Sequence, residues 1–234
     1  MTSLSPTASR KVPAADAGSL PPAGRVLAVT ARPGQESAEL GGLLFAFRRA
    51  GASLGLLSLT RGEASPLNSS LARLEAIRPW ELQLAASVLG ASWVAVASYP
   101  DGALDRQPVG ELTERVLRAV RQYQANLLLV IDPAAGDPDD GAVAAAAWSA
   151  ARQAGVPAMA CTRPGARGAR VIDLGADAAT ARTIAKAAMA AHASQSEGLS
   201  RLTRRLDLLD GREHVRWLVA RNQSEAGRRH DEAA

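Results

Sequence analysis

The chain has 234 residues, 47% of them hydrophobic and 21% charged, which is enough for a sizeable core in one large α/β domain or two small ones. Aromatic residues make up only 3%, so small aliphatic side chains must build that core, and the single cysteine, Cys161, excludes a disulfide scaffold or a multi-cysteine zinc knuckle and suits a reducing compartment. The 27 basic residues exceed the 23 acidic ones by only four, and neither an 18-residue apolar run nor a secretory leader pattern appears, so a cytoplasmic protein without a membrane span is expected.

Residues 1–24 mix Ser, Thr, Pro, Ala and Gly without apolar periodicity and are expected to form a flexible N-terminal tail. Short apolar runs follow at 25–31, 54–60, 93–97, 126–132, 156–161 and 170–173, each the length of a strand buried on both faces. Segments with helical spacing separate them, at 37–51, 71–90, 108–123, 141–154 and 177–194, and a last amphipathic helix is expected over about 199–220. Gly51, Gly90 and Gly155 stand where helix C-caps belong. Residues 222–234 again read as a tail, leaving 25–221 as one domain. Alternating strands and helices imply a mostly parallel, doubly wound sheet with flanking helices, because parallel strands require crossover connections.

In such a sheet, ligands bind at the carboxyl ends of the strands. The loops of interest are therefore Arg32-Pro33-Gly34-Gln35-Glu36, Arg61-Gly62-Glu63, Tyr99-Pro100-Asp101-Gly102 and residues 133–141. One glycine in the first loop cannot supply the three-glycine dinucleotide fingerprint, and no phosphate-cradling Walker loop is present.

Taken in order, these loops resemble those of the LmbE-like (PIG-L) family of zinc-dependent N-deacetylases, which act on N-acetylglucosamine conjugates. The family's His-Pro-Asp-Asp-Glu motif and Gly-Gly helix start correspond to Arg32-Pro33-Gly34-Gln35-Glu36 and Gly41-Gly42. Its Thr-x-Gly-Glu is similar to Thr60-Arg61-Gly62-Glu63, its Arg-x-x-Glu helix to Arg78 and Glu81, and its Pro-Asp-Gly loop to Pro100-Asp101-Gly102. A late His-x-Ser-Gln is matched by His192-Ala193-Ser194-Gln195. The resemblance spans about 25–218 and implies the family's Rossmann-like fold.

It also implies where the chemistry would sit, and there the residues differ. The family's two first-loop zinc ligands fall on Arg32 and Gln35, its last zinc ligand on Asp140, and its general base on Gly34. A catalytic zinc needs three neutral or anionic donors. Arg32 offers only donors and a permanent positive charge, Gln35 is a weak oxygen ligand, and Gly34 has no side chain to take a proton, a role typically contributing about 10²- to 10⁴-fold. No zinc or other cofactor is therefore expected at that position. Arg32 is instead expected to face Asp139 and Asp140, an arginine-carboxylate pairing in place of the cation.

Each remaining position has an ordinary structural reading beside a functional one. Arg78 and Glu81 have the spacing of an intrahelical pair, Asp101 sits in a turn, and His192 stands where a cap or core histidine would. Asp137, Asp139 and Asp140 could together hold a hard cation, and Cys161 reads as a small buried hydrophobe. The tryptophans at 80, 93, 148 and 217 show no base-stacking pattern.

The expected function is that of a catalytically inactive deacetylase relative that binds through the former active-site cleft. Its ligand would be a sugar conjugate, a small acid or a protein partner, contacted by Arg32, Glu36, Arg78, Asp101, Asp137 and Asp139; a homo-oligomer is compatible with the sequence. A rival is an active N-acetylglucosaminyl deacetylase-type hydrolase with metal on Gln35, Glu36, Asp137 and Asp140. A weaker one places nucleic-acid or anionic-surface binding on the terminal segment, whose Arg201, Arg204, Arg205, Arg212, Arg216 and Arg221 outnumber its acids; a nucleic-acid partner is not the expectation.

Overall fold

The computed structural model describes residues 19–64, 73–195, 206 and 211–219. Of the two predicted tails, residues 1–18 and 222–234 lie outside the described residues.

Five strands run parallel: β1 (Arg25–Thr30), β2 (Ser53–Thr60), β3 (Ala91–Tyr99), β4 (Leu127–Ile131) and β5 (Ala158–Cys161). Two more, β6 (Arg170–Asp173) and β7 (Arg212–Val219), complete a seven-stranded sheet in the order β3-β2-β1-β4-β5-β7-β6. β7 is antiparallel to both of its neighbours. The expected helix over 199–220 is therefore corrected: residues 212–219 form a strand, while most of 196–210 lies outside the described residues. Along β7 the burial alternates at its start, with Glu213 and Val215 buried and Arg212 exposed, the period of a strand and not of a helix.

The central strands are apolar on both faces because both faces are covered. Leu27, Val29, Leu57, Leu59, Leu128 and Val130 pack against α4 (Val109–Tyr123) and α5 (Pro138–Ala154). Their neighbours Val26, Ala28, Leu54, Leu56, Leu127 and Leu129 face the other way, toward α2 (Gly41–Arg49), α3 (Leu74–Leu89) and α6 (Ala178–Ala190). The predicted helix at 37–51 is broken into α1 (Gln35–Ala38) and α2. Five alanines of α5 (Ala144, Ala146, Ala147, Ala150, Ala151) are buried, so small side chains let the helix lie close to the sheet and to α4.

Beyond β1 the chain steps outward to β2 and β3, and beyond β4 it steps the other way to β5. The strand order thus reverses between β1 and β4, and the crevice at their carboxyl ends is where doubly wound sheets place ligands. No helix among the described residues is long and apolar enough to cross a membrane.

Candidate functional site

Loops after β1, β2, β3 and β4 meet at this crevice, and Arg32 stands at their centre. Its Nε lies 2.9 Å from Asp101 Oδ1, its Nη1 2.9 Å from Asp137 Oδ2 and its Nη2 2.9 Å from Asp139 Oδ2. Three carboxylates from two loops thus share one guanidinium, whose rigid fork of donors suits this arrangement where an ammonium would not. Although burial opposes its charge, Asp101, Asp137 and Asp139 hold the Arg32 pKa above its ordinary value.

The acids are themselves fixed. Asp139 accepts Gly102 N at 2.8 Å and Leu104 N at 2.9 Å, while Asp101 accepts Ala64 N at 3.1 Å and its own N–H donates to Glu63 Oε1 at 3.0 Å. Asp137 caps α5, accepting Asp139 N at 2.9 Å ahead of Pro138. Asp139 and Asp140 occupy the first turn of that helix, where its dipole favours negative charge.

The sequence expectation for Arg32 is corrected in one respect, since its partners are Asp101, Asp137 and Asp139 and not Asp140. Asp140 is held by Gln35, whose Nε2 donates to Oδ1 at 2.8 Å. The Gln35 Oε1 accepts the backbone N–H groups of Ala31 and Arg32 at 3.0 and 3.1 Å, which fixes the amide with its nitrogen toward Asp140. Burial, together with Asp137 and Asp139, pushes the Asp140 carboxyl up to about 6 against the opposing Gln35 hydrogen bond and Arg32 charge.

Gly34 adopts φ +101°, a left-handed conformation that favours glycine. Glu36 turns away from the crevice: its Oε2 accepts Gly34 N at 2.8 Å, and its Oε1 meets Ser37 Oγ and His192 Nε2, each at 2.7 Å. Both members of the Glu36–His192 pair are fully buried. Burial works against both charges, but their mutual attraction brings Glu36 below and His192 above their ordinary pKa values. His192 is therefore a core histidine that braces the first loop, a pairing that no local pattern in the sequence signals.

Arg78 and Glu81, whose spacing also suits an intrahelical pair, make their hydrogen bonds to other partners. Glu81 instead accepts Ser194 N and Ser194 Oγ, both at 2.6 Å, tying α3 to the turn after α6. Arg78 is 1% exposed, and its Nη1 donates to the Gly62 carbonyl. Among the described residues its Nε and Nη2 have no hydrogen-bond partner, and neither has the buried Glu63 Oε2. Burial, reinforced by nearby Arg32 and opposed by Asp101 and Glu81, lowers the Arg78 pKa. Asp132, which closes β4, receives a bidentate pair from Arg216 of β7 at 2.5 and 2.7 Å, a contact that the sequence pattern, which puts Arg216 in a helix, does not reveal.

The donor set does not fit a zinc ion. Around Arg32 the acids already face a fixed cation, and the Gln35 oxygen is taken by backbone N–H groups. The alternative set does not converge either, because Glu36 is committed to His192, Asp137 to Arg32 and Asp140 to Gln35. Asp137, Asp139 and Asp140 likewise face two different partners. Among the described residues no group of three or more His, Cys, Asp or Glu side chains is arranged to hold a metal.

A doubly wound sheet with a crevice built from these loops defines an LmbE-like α/β protein. Over residues 27–151, more than half of the chain, the sequence matches the family described as PIG-L, GlcNAc-PI de-N-acetylase, and the chain belongs to that family. Its fold is similar to that of N,N'-diacetylchitobiose deacetylase from Pyrococcus horikoshii, at 17% identity and TM-score 0.68 over 83% of this chain and 84% of the other. A deacetylase of the teicoplanin biosynthesis pathway is similar at 18% identity and TM-score 0.67, covering 82% and 96%. So is 4-carboxy-2-hydroxymuconate hydratase from Pseudomonas putida KT2440, at 18% identity and TM-score 0.65, covering 86% and 98%. No curated protein matches the chain.

Proposed function

We propose that this chain is a metal-free, catalytically silent member of the PIG-L family that works by binding a small polar ligand in the crevice between β1 and β4. The observation that carries the reading is the Arg32 guanidinium, which holds Asp101, Asp137 and Asp139 and makes an internal cation of the residue at a metal-ligand position. Arg32 cannot ligate zinc, and Gly34 offers no group to deprotonate water at the position where the family resemblance puts the base. The protein carries no carboxylate or imidazole in either place.

The unpartnered donors of Arg78 favour a ligand over an empty scaffold. Buried polar groups without partners are rare and call for a water, an ion or a ligand, and two guanidinium nitrogens together suit a carboxylate or hydroxyl oxygen. Glu63 Oε2, also buried and unpartnered, would accept a hydroxyl or amine proton from the same molecule. A sugar conjugate and a small hydroxy acid both present that combination.

Calorimetric titration with N-acetylglucosamine, glucosamine and a small hydroxy acid tests this, using the wild type and Arg78→Met. Binding of one of them that the variant loses supports the reading. Equal binding by both proteins, or none by either, contradicts it. The other proposals are a cytoplasmic location and, failing a small ligand, a protein partner at the same crevice.

A further inference from the structure

We propose that the outer edge of β3 and the exposed stripe of α4 form a two-fold interface with a second copy of this chain. The two edges of the sheet are unlike. At one end β6 is four residues long and begins and ends on a charge, Arg170 and Asp173, as protected edges do. At the other, β3 runs for nine residues, Ala91–Tyr99, with no charge and no proline, and every one of them is at least partly exposed. Among the described residues nothing pairs with its outer side. Register shifts occur near each end of β3, but Trp93–Val96 stay in regular register with Gly55–Ser58, so the middle of the strand is an open ladder. Such an edge invites another strand.

Charge identifies the occupant. On α4, beside β3, Glu111, Glu114, Arg115 and Arg118 follow one another at i, i+3, i+4 and i+7 and so share a stripe. With Tyr99 and Gly110 they line a groove of about 360 Å³. Glu111–Arg115 and Glu114–Arg118 have the spacing of helical ion pairs, yet among the described residues the buried Arg115 Nη1 has no hydrogen-bond partner. Burial and the neighbouring Arg118 charge instead lower the Arg115 pKa.

A two-fold axis normal to the sheet pairs β3 antiparallel with its copy and turns α4 antiparallel to its copy. With its axis level with the midpoint between Glu114 and Arg115, that operation would set Glu111 opposite Arg118 of the second copy and Glu114 opposite Arg115 of the second copy. Acids at one end of the stripe and bases at the other make it self-complementary, as an isologous contact requires. An unrelated extended peptide would satisfy the β3 ladder but would not account for the order of these four charges.

The test is sedimentation velocity of the full chain over a wide concentration range at low and high salt, with circular dichroism to establish folding of each variant. The wild type is expected to sediment as a dimer at low salt and to dissociate more readily as salt rises. Glu111→Arg and Arg118→Glu are each expected to weaken the dimer by about tenfold or more, and the exchange Glu111→Arg/Arg118→Glu to restore it to within about threefold of wild type. A monomer under all conditions overturns the proposal. So does a dimer indifferent to the single reversals, or one that the exchange does not restore.

Discussion

The side-chain amide of Gln195 fills the space that a side chain on Gly34 would enter. A Cβ at position 34 would lie 2.7 Å from Gln195 Nε2, which itself donates to the Pro33 carbonyl at 3.1 Å. Position 34 therefore has no room for a side chain as the loop now stands. Gly34→Asp is expected to destabilise the fold by about 2–4 kcal/mol, combining left-handed backbone strain with overpacking. Thermal denaturation of Gly34→Asp and of Gly34→Asp/Gln195→Ala checks this: the double variant should recover the steric part, and neither should gain deacetylase activity.

Arg32 makes a second prediction. Arg32→Ala leaves three converging carboxylates without their cation, and breaking such partly buried pairs is expected to cost about 2–4 kcal/mol. Arg32→His should be destabilising too, without creating a metal site by itself. Because the freed acids would seek another cation, Ca²⁺ or Mn²⁺ should raise the melting temperature of Arg32→Ala more than that of the wild type. Equal melting temperatures for the wild type and both variants would contradict the pairing.

Acid titration should reveal two carboxyls of opposite sign. The Asp140 carboxyl is raised to about 6, so the folded state binds a proton more readily than the unfolded one, and stability from this group falls as pH rises from about 4 to 6. Asp132 is held at about 2 because the Arg216 and Thr162 hydrogen bonds overcome its burial, so its contribution is full above about pH 4 and lost as pH falls toward 2. Each shift of roughly two units corresponds to about 2–3 kcal/mol. Asp140→Asn should therefore raise the melting temperature at pH 7, and Asp132→Asn should flatten the loss of stability below pH 4. Melting temperatures measured across pH 2–8 check both.

The Glu36–His192 pair predicts a larger effect. Both side chains are fully buried, so His192→Leu strands the Glu36 carboxylate and is expected to cost about 3–5 kcal/mol. Glu36→Gln/His192→Leu should be less damaging than His192→Leu alone, which a double-mutant comparison in denaturant would show.

Much of the fold was legible because its signals are local. Continuous apolar runs such as Leu127–Ile131 mark strands buried on both faces, and Gly90 and Gly155 cap helices at the expected places in left-handed conformations. The terminal strand leaves no such trace: helical spacing over about 199–220 runs on past Gly211, whose left-handed φ of +87° stands just before the strand from Arg212. In the site, Arg32 and the acids of the β4 loop could be anticipated from loop order. Asp101 as a partner of Arg32, 69 residues away, and His192 as a partner of Glu36, 156 residues away, could not, since such pairings depend on how α3, α6 and the loops stack and leave no periodic trace in the chain. Glu81 shows the converse: its spacing from Arg78 also suits a local pair, while its hydrogen bonds go to Ser194, 113 residues away.

On the reading proposed above, the Arg32 guanidinium stands where a metal ion would otherwise balance Asp101, Asp137 and Asp139. Elemental analysis of the purified protein before and after incubation with Zn²⁺, with a sugar N-deacetylase assay on the same sample, tests it most directly. Zinc far below one equivalent per chain with no turnover is expected; near-stoichiometric zinc accompanied by deacetylation would overturn the replacement of the metal by Arg32.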